Sequence, residues 1–270
     1  MLKNLIHTAF GLALMLSATF ANAGGFSPED VVKVDILPGW RTAKGTHMSA
    51  LRVQLEPGWK TYWRAPGQSG IPPRFDWDGS RNLSAVKFHW PTPNVFVENG
   101  LRTVGYKNQL ILPMELSPKR RGGDIVLRAE VELGVCEDIC IPVSLRISAN
   151  LGTYQQRDPR ISSAMSQRPA TAKEASMRAI NCGVEPISDG LRVTAQIDMP
   201  QLGANEIAVF ELPDQTIWVS EATTRRQNGT LFAVTEMVPP TNGPFLLDRS
   251  QIRITVMAAG RAVEIQGCRS

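Results

Sequence analysis

Leu51, Val53 and Leu55 alternate with Arg52, Gln54 and Glu56, and Pro57-Gly58 follows directly. A period of two puts every apolar side chain on one face of a strand, and the Pro-Gly pair ends that strand in a turn. The alternation returns at Leu110, Leu112 and Met114, and again at Ile125, Leu127, Ala129, Val131 and Leu133, a run that leads straight to Cys136. It reappears at Leu191, Val193, Ala195 and Ile197 and at Ile252, Ile254 and Val256, with Asn228-Gly229 between them as the expected turn of a hairpin. Short strands with one buried face, punctuated by Gly and Pro, pack as antiparallel sandwiches rather than as alternating βα units.

Residues 153–180 break this texture. Asp158-Pro159 has the form of an N-cap followed by proline at the first helical position, and residues 162–166 and 171–180 are short Ala/Ser/Met-containing segments on either side of Pro169. The chain is therefore expected to be all-β: a β-sandwich over residues 24–152, a short helical connector over 153–180, and a second, smaller β domain over 181–270. At about 90 residues the last falls within the usual domain range.

Residues 1–23 are set apart from the fold. Lys3 supplies a positive start, residues 9–20 an apolar centre, and Ala21-Asn22-Ala23 a small-x-small cleavage site, the layout of a secretory signal peptide. The apolar stretch is shorter than the ~20 residues a spanning helix needs. No cysteine follows the cleavage site to carry a lipid, and no later segment is apolar enough to span a bilayer. The expected product is an exported, soluble protein that is not inserted in the membrane after cleavage.

Composition narrows the classes further. With 43% hydrophobic and 20% charged residues among 270, disorder is excluded as the main state. The 29 Lys+Arg against 25 Asp+Glu are scattered apart from Lys119-Arg120-Arg121, so the excess speaks for solubility and not for a nucleic-acid partner. No Gly-rich phosphate loop, nucleophile elbow or zinc-protease pattern is present, and ordinary hydrolytic catalysis has no visible machinery.

Export gives the four cysteines their meaning, because thiols outside the cytosol tend to be oxidised. Cys136 and Cys140 stand four positions apart, whereas Cys182 and Cys268 lie far apart at either end of the second β domain, so the simplest pairing is local with local and distant with distant. The distant pair reads as a structural disulfide. Fully extended, four residue steps would separate the Cys136 and Cys140 Cα atoms by about 13 Å, beyond the span of a disulfide, so a bridge there demands a sharp turn. Glu137 and Asp138 add negative charge that disfavours thiolate. Spacing alone leaves three readings open: a structural hairpin staple, a redox exchange pair, or half of a metal site. For the metal, His47 and His89 are the histidines that follow the leader, and neither has ligand spacing to the cysteines. No cofactor is indicated.

An ordered series of residues separates these readings. It begins at Pro57-Gly58-Trp59-Lys60-Thr61-Tyr62-Trp63-Arg64 and passes through Gly70-Ile71-Pro72-Pro73, Phe75-Asp76-Trp77, Trp90-Pro91, Gly105-Tyr106 and Leu112-Pro113. It ends at Val135-Cys136-Glu137-Asp138-Ile139-Cys140-Ile141-Pro142. In this series residues 30 to 150 resemble the N-terminal periplasmic domain of the thiol:disulfide interchange protein DsbD, especially the version in copper-sensitivity suppressor B membrane proteins. The resemblance implies the periplasm as the compartment, and an immunoglobulin-like sandwich whose cysteine pair is reduced by a thioredoxin-like domain or membrane electron-transport protein and then reduces oxidised exported proteins. It also implies that Cys140 exchanges with partners and Cys136 resolves, that Tyr62 is an active-site tyrosine, and that Phe96, within residues 94–100, caps the pair. No stretch here resembles the family's membrane segment or its thioredoxin-like domain, so the expectation is that another polypeptide donates the electrons or that the role has been lost. The competing expectation is a β-sandwich binding or adaptor protein whose disulfides are purely structural.

Overall fold

The alternating segments become strands where the pattern marks them. A computed structural model describes residues 27–98, 100–152, 156–241 and 245–268. The expected signal peptide and Asn99 of the expected cap lie outside the described residues. In chain order the first ten strands are β1 (Val32–Arg41), β2 (His47–Leu55), β3 (Lys60–Gly67), β4 (Arg74–Asp76), β5 (Ala85–Phe88), β6 (Asn94–Glu98), β7 (Leu101–Lys107), β8 (Gln109–Ser117), β9 (Ile125–Cys136) and β10 (Cys140–Leu151). They form two sheets, ordered β1-β2-β8-β5 and β10-β9-β3-β7-β6, with β4 also paired to β9. Leu51, Val53, Leu112 and Met114 from one sheet and Leu127, Val131 and Leu133 from the other meet in one core. Their alternating partners, such as Gln54, Arg128 and Glu132, face solvent. The sandwich is thus the direct consequence of period-two patterning in both sheets.

The connector corrects the expectation in its second half. Helix α1 (Pro159–Ser166) forms as expected, with the Asp158 carboxylate accepting from the Arg160 amide and Pro159 in the first turn. Residues 171–180 do not continue as helix. Ala170–Thr171 forms a short strand, β11, and one turn follows in which the Ala175 amide donates to the Thr171 carbonyl. Ser176 then takes a positive φ of 53°, which halts right-handed propagation. Packing outweighs the weak helical propensity here: Ala170, Ala172, Ala175 and Met177 lie against the second core.

That core belongs to the remaining strands, β12 (Ala179–Pro186), β13 (Leu191–Asp198), β14 (Ile207–Glu211), β15 (Trp218–Val219), β16 (Thr223–Gln227), β17 (Thr230–Val238), β18 (Arg253–Ala258) and β19 (Arg261–Gln266). One sheet runs β12-β13-β17-β15 with β16 also on β17, and the other β11-β19-β18-β14, where β11 lies parallel to β19. Asn228 and Gly229 join β16 to β17 with φ of 49° and 84°, the paired positive angles of a type I′ hairpin turn.

The β11-β19-β18-β14 sheet is buried on both faces. Ala208, Phe210, Ile254, Val256 and Val263 point into the second core, while the alternate residues Ile207, Met257 and Ala262 join the core of the first sandwich. The two sandwiches therefore share an apolar contact and are not strung on a free linker. No described helix is long and apolar enough to cross a membrane.

Candidate functional site

Cys136 closes β9 and Cys140 opens β10, and the two are the first register pair of the β9–β10 hairpin. Three residues, Glu137, Asp138 and Ile139, make the turn, with the Glu137 amide donating to the Ile139 carbonyl at 3.2 Å. The sharp reversal required for a local bridge is therefore a tight hairpin loop. Its ends bring the Cα atoms to 4.2 Å, and the two sulfurs are joined. Glu137, Asp138 and Cys140 are exposed, and Ile139 holds 66% of its accessible surface at the tip. Cys136 is fully buried.

Burial differs because the two cysteines occupy different places in the sheet. Cys136 lies on β9, flanked by β10 on one side and by β3 on the other, where it pairs with Lys60. Cys140 begins β10, the edge of the sheet. One sulfur is thus enclosed and its covalent partner faces solvent.

Tyr62 is the group that the fold brings to both sulfurs. Its hydroxyl lies 2.8 Å from Cys136 Sγ and 3.2 Å from Cys140 Sγ. A bridged sulfur carries no proton, so the phenol is the donor. Burial, and then the negative charge of Glu98, push the Tyr62 hydroxyl above the usual tyrosine range. It therefore stays protonated and able to donate throughout neutral pH.

Two glycines make room for this ring, and a third for the backbone that carries it. A Cβ on Gly134 would stand 2.6 Å from Ile71 Cβ and 3.0 Å from Tyr62 Cδ2, and one on Gly70 would stand 2.9 Å from Tyr62 Cδ1. Gly105 faces Tyr62 across the β3–β7 ladder, where a Cβ would collide with the Thr61 carbonyl. None of the three needs a positive φ, so space and not backbone angle explains them. Gly134→Ala is expected to displace Tyr62 from the sulfurs. Its checks are an approximately tenfold slower opening of the Cys136–Cys140 bridge by dithiothreitol and a stability loss of about 1–3 kcal/mol from overpacking.

Other expected residues are placed less directly. Phe96 sits on β6, two strands from β9's neighbour β3, and its ring lies over the Lys60 ammonium, 5.4 Å from Nζ to the centroid. Lys60 is almost fully buried, pairs with Cys136 across the ladder and forms a salt bridge with Glu98. Phe96 thus packs on Lys60, a residue to which sequence reasoning assigned no role although it stands two positions before Tyr62. Glu137 folds back over Gly58, where a Cβ would strike its carboxylate. His47 and His89 belong to the other side of the sandwich: His47 Nε2 donates to the Pro38 carbonyl at 2.6 Å, and His89 faces Glu115. Cys182 and Cys268 are joined within the second sandwich, with Cα atoms 5.6 Å apart.

The molecule thus belongs to the class of immunoglobulin-like β folds, with a disulfide at the turn end of an edge hairpin, Cys140 exposed, Cys136 buried and a tyrosine hydroxyl on both sulfurs. Residues 28–151 match the family described as thiol:disulfide interchange protein DsbD, N-terminal, and this part of the chain is a DsbD-like N-terminal domain. Among solved structures, the crystal structure of the N-terminal periplasmic domain of ScsB from Proteus mirabilis is similar with a TM-score of 0.67 at 22% identity. The match covers 91% of this chain and 96% of that one, so both sandwiches share its fold. A comparison with curated proteins finds no match.

Proposed function

We propose that this protein is an exported thiol–disulfide exchange protein, passing electrons from a thioredoxin-like domain or membrane electron-transport protein to oxidised exported proteins through Cys136 and Cys140. The observation that carries this reading is the asymmetry of the pair: Cys140 is exposed, Cys136 is enclosed, and the Tyr62 hydroxyl donates toward both. The family of residues 28–151 supports the same chemistry. The leader pattern of residues 1–23 and the periplasmic origin of the similar ScsB domain support the periplasm as its compartment.

The steps follow from that asymmetry. A donor thiolate attacks Cys140 Sγ, a new donor–Cys140 bond forms, the Cys136–Cys140 bond breaks, and its electron pair goes to Cys136 Sγ. The Tyr62 O–H, 2.8 Å away, stabilises the negative charge as it develops there. The donor's second thiolate then attacks its own bridged sulfur and releases Cys140. Toward a client, the Cys140 thiolate attacks the client disulfide, and Cys136 resolves the mixed disulfide, leaving the client reduced and the pair oxidised.

A redox titration in glutathione buffers tests the reading. The expected result is one bridge, Cys136–Cys140, that opens in the potential range of exchange catalysts, and one, Cys182–Cys268, that resists. Two bridges that resist equally would overturn exchange and leave a binding or adaptor protein with structural disulfides.

A further inference from the structure

The second sandwich takes no part in these steps, yet it grips the strand that carries Tyr62. Along β3 the ladder to β7 slips: Tyr62 pairs with Gly105 and Gly67 with Thr103, so five steps on β3 oppose two on β7. The surplus residues bulge out, and a bulge beside a functional site re-aims side chains. Trp63 goes fully into the first core, and the Arg64 guanidinium stacks on its ring at 4.3 Å.

From there Arg64 reaches the second sandwich. Its Nε and Nη2 donate to Glu211 at 2.8 and 2.9 Å, and Nη2 also donates to Glu264 at 2.6 Å. Glu211 on β14 and Glu264 on β19 project from the same sheet face as Ile207, Met257 and Ala262, which close against the first core. A second ion pair joins Arg102 of β7 to Glu221, so both strands that meet at Tyr62 and Gly105 are anchored. Arg64 and Glu211 keep only 16% and 17% of their side-chain surface. Pairs so enclosed are costly to break from one side, because the remaining charge is left buried alone.

We propose that the second sandwich is a positioning clamp for the redox site: Glu211 and Glu264 hold Arg64 at the bulge of β3, and through it hold the Tyr62 hydroxyl against the Cys136 and Cys140 sulfurs. The proposal rests on the exchange reading. Arg64 touches neither sulfur and acts through Tyr62, so its removal matters to exchange as long as the phenol is there to be misplaced.

The test measures the rate at which dithiothreitol opens Cys136–Cys140 in the full chain, in wild type, Arg64→Ala, Glu211→Gln and Tyr62→Phe, and in Arg64→Ala and Glu211→Gln each combined with Tyr62→Phe. Loss of a well-placed donor is expected to slow opening about fivefold in Arg64→Ala and in Glu211→Gln. In the Tyr62→Phe background the same changes are expected to alter the rate by less than about twofold, the signature of two residues acting as a unit. Arg64→Lys keeps the charge but loses the two-pronged fork. It retains the fold if Arg64→Ala does not, and the same dependence on Tyr62 is expected of it. Equal slowing with and without the phenol, or rates unchanged in folded variants, would overturn the clamp alone. A wild-type bridge that dithiothreitol cannot open would overturn the exchange reading itself.

Discussion

Cys136→Ala is expected to accumulate a mixed disulfide through Cys140 when the purified protein meets an oxidised exported client or an oxidised thioredoxin-like partner, and Cys140→Ala is not. The exposed Cys140 thiolate attacks the partner's disulfide, and the partner's leaving sulfur departs as a thiol. With Cys136 absent, the internal sulfur that would carry the exchange forward is gone, and once the partner's freed thiol is alkylated to block the reverse attack the covalent complex persists on nonreducing gels. In Cys140→Ala the remaining sulfur is fully buried, so a protein disulfide cannot reach it. Glu137 and Asp138 flank the exchanging sulfur on an exposed turn, and their charge opposes formation of the attacking thiolate. Glu137→Gln with Asp138→Asn, added to Cys136→Ala, is expected to speed trapping, and more so at low salt, since exposed charges are screened. Trapping through Cys136 instead would reverse the two roles.

The cysteine motif shows why a site can be present in a sequence and still be unreadable from it. Cys136 and Cys140 are equivalent in a bare C-x-x-x-C spacing, and staple, exchange pair and half metal site all fit it. What distinguishes them is strand order. β9 lies inside its sheet and β10 at the edge, and that order depends on pairing between β3 and β9, more than sixty residues apart in sequence. The ordered series from Pro57 to Pro142 carried the site by resemblance, and Tyr62 came with it. The glycines at 70, 105 and 134 lie in or beside the same series, but no pattern of polarity reveals that those at 70 and 134 wall a single ring or that the one at 105 lets the backbone of β3 pass close. Lys60 and Arg64 read as ordinary strand charges until the bulge and the second sandwich give them partners.

Fold was legible where one face of a strand is wet. Period-two runs such as Ile125 to Leu133 and Leu191 to Ile197 correspond to β9 and β13 because each turns one face to a core. Where both faces are covered the signal fades into a continuous apolar run. Ile207 to Phe210 is such a run, and its second face is the contact between sandwiches; on β18 the alternation of Ile254 and Val256 with Arg253 and Thr255 survives until Met257, which turns to that same contact. The Ala/Ser/Met texture of residues 171–180 misled for the opposite reason: its small side chains suit a helix, yet they also let the chain lie close over the second core, and burial decides.

Cys182→Ser is expected to lower the unfolding midpoint of the second sandwich by about 15 °C or more in scanning calorimetry. Cys182 lies on β12, at the edge of one sheet, and Cys268 follows β19 of the other. The bridge thus ties the two layers of the second sandwich together across 86 positions. A loop of that length gives about 4–5 kcal/mol on the chain-entropy estimate, and each kcal/mol moves the midpoint of a domain this size by about 4–8 °C. Hydrogen bonds close the same corner, with the Cys268 amide donating to the Arg249 carbonyl at 2.9 Å and Arg249 Nη1 to the Cys182 carbonyl at 3.2 Å, so some order there survives the substitution. Below the lowered midpoint the clamp on Arg64 remains, and opening of Cys136–Cys140 should proceed at the wild-type rate. Between the lowered and original midpoints the second sandwich melts first and releases Arg64, and opening should fall to the rate of Arg64→Ala at the same temperature. An unchanged midpoint would mean that the long bridge does not hold the second sandwich in solution.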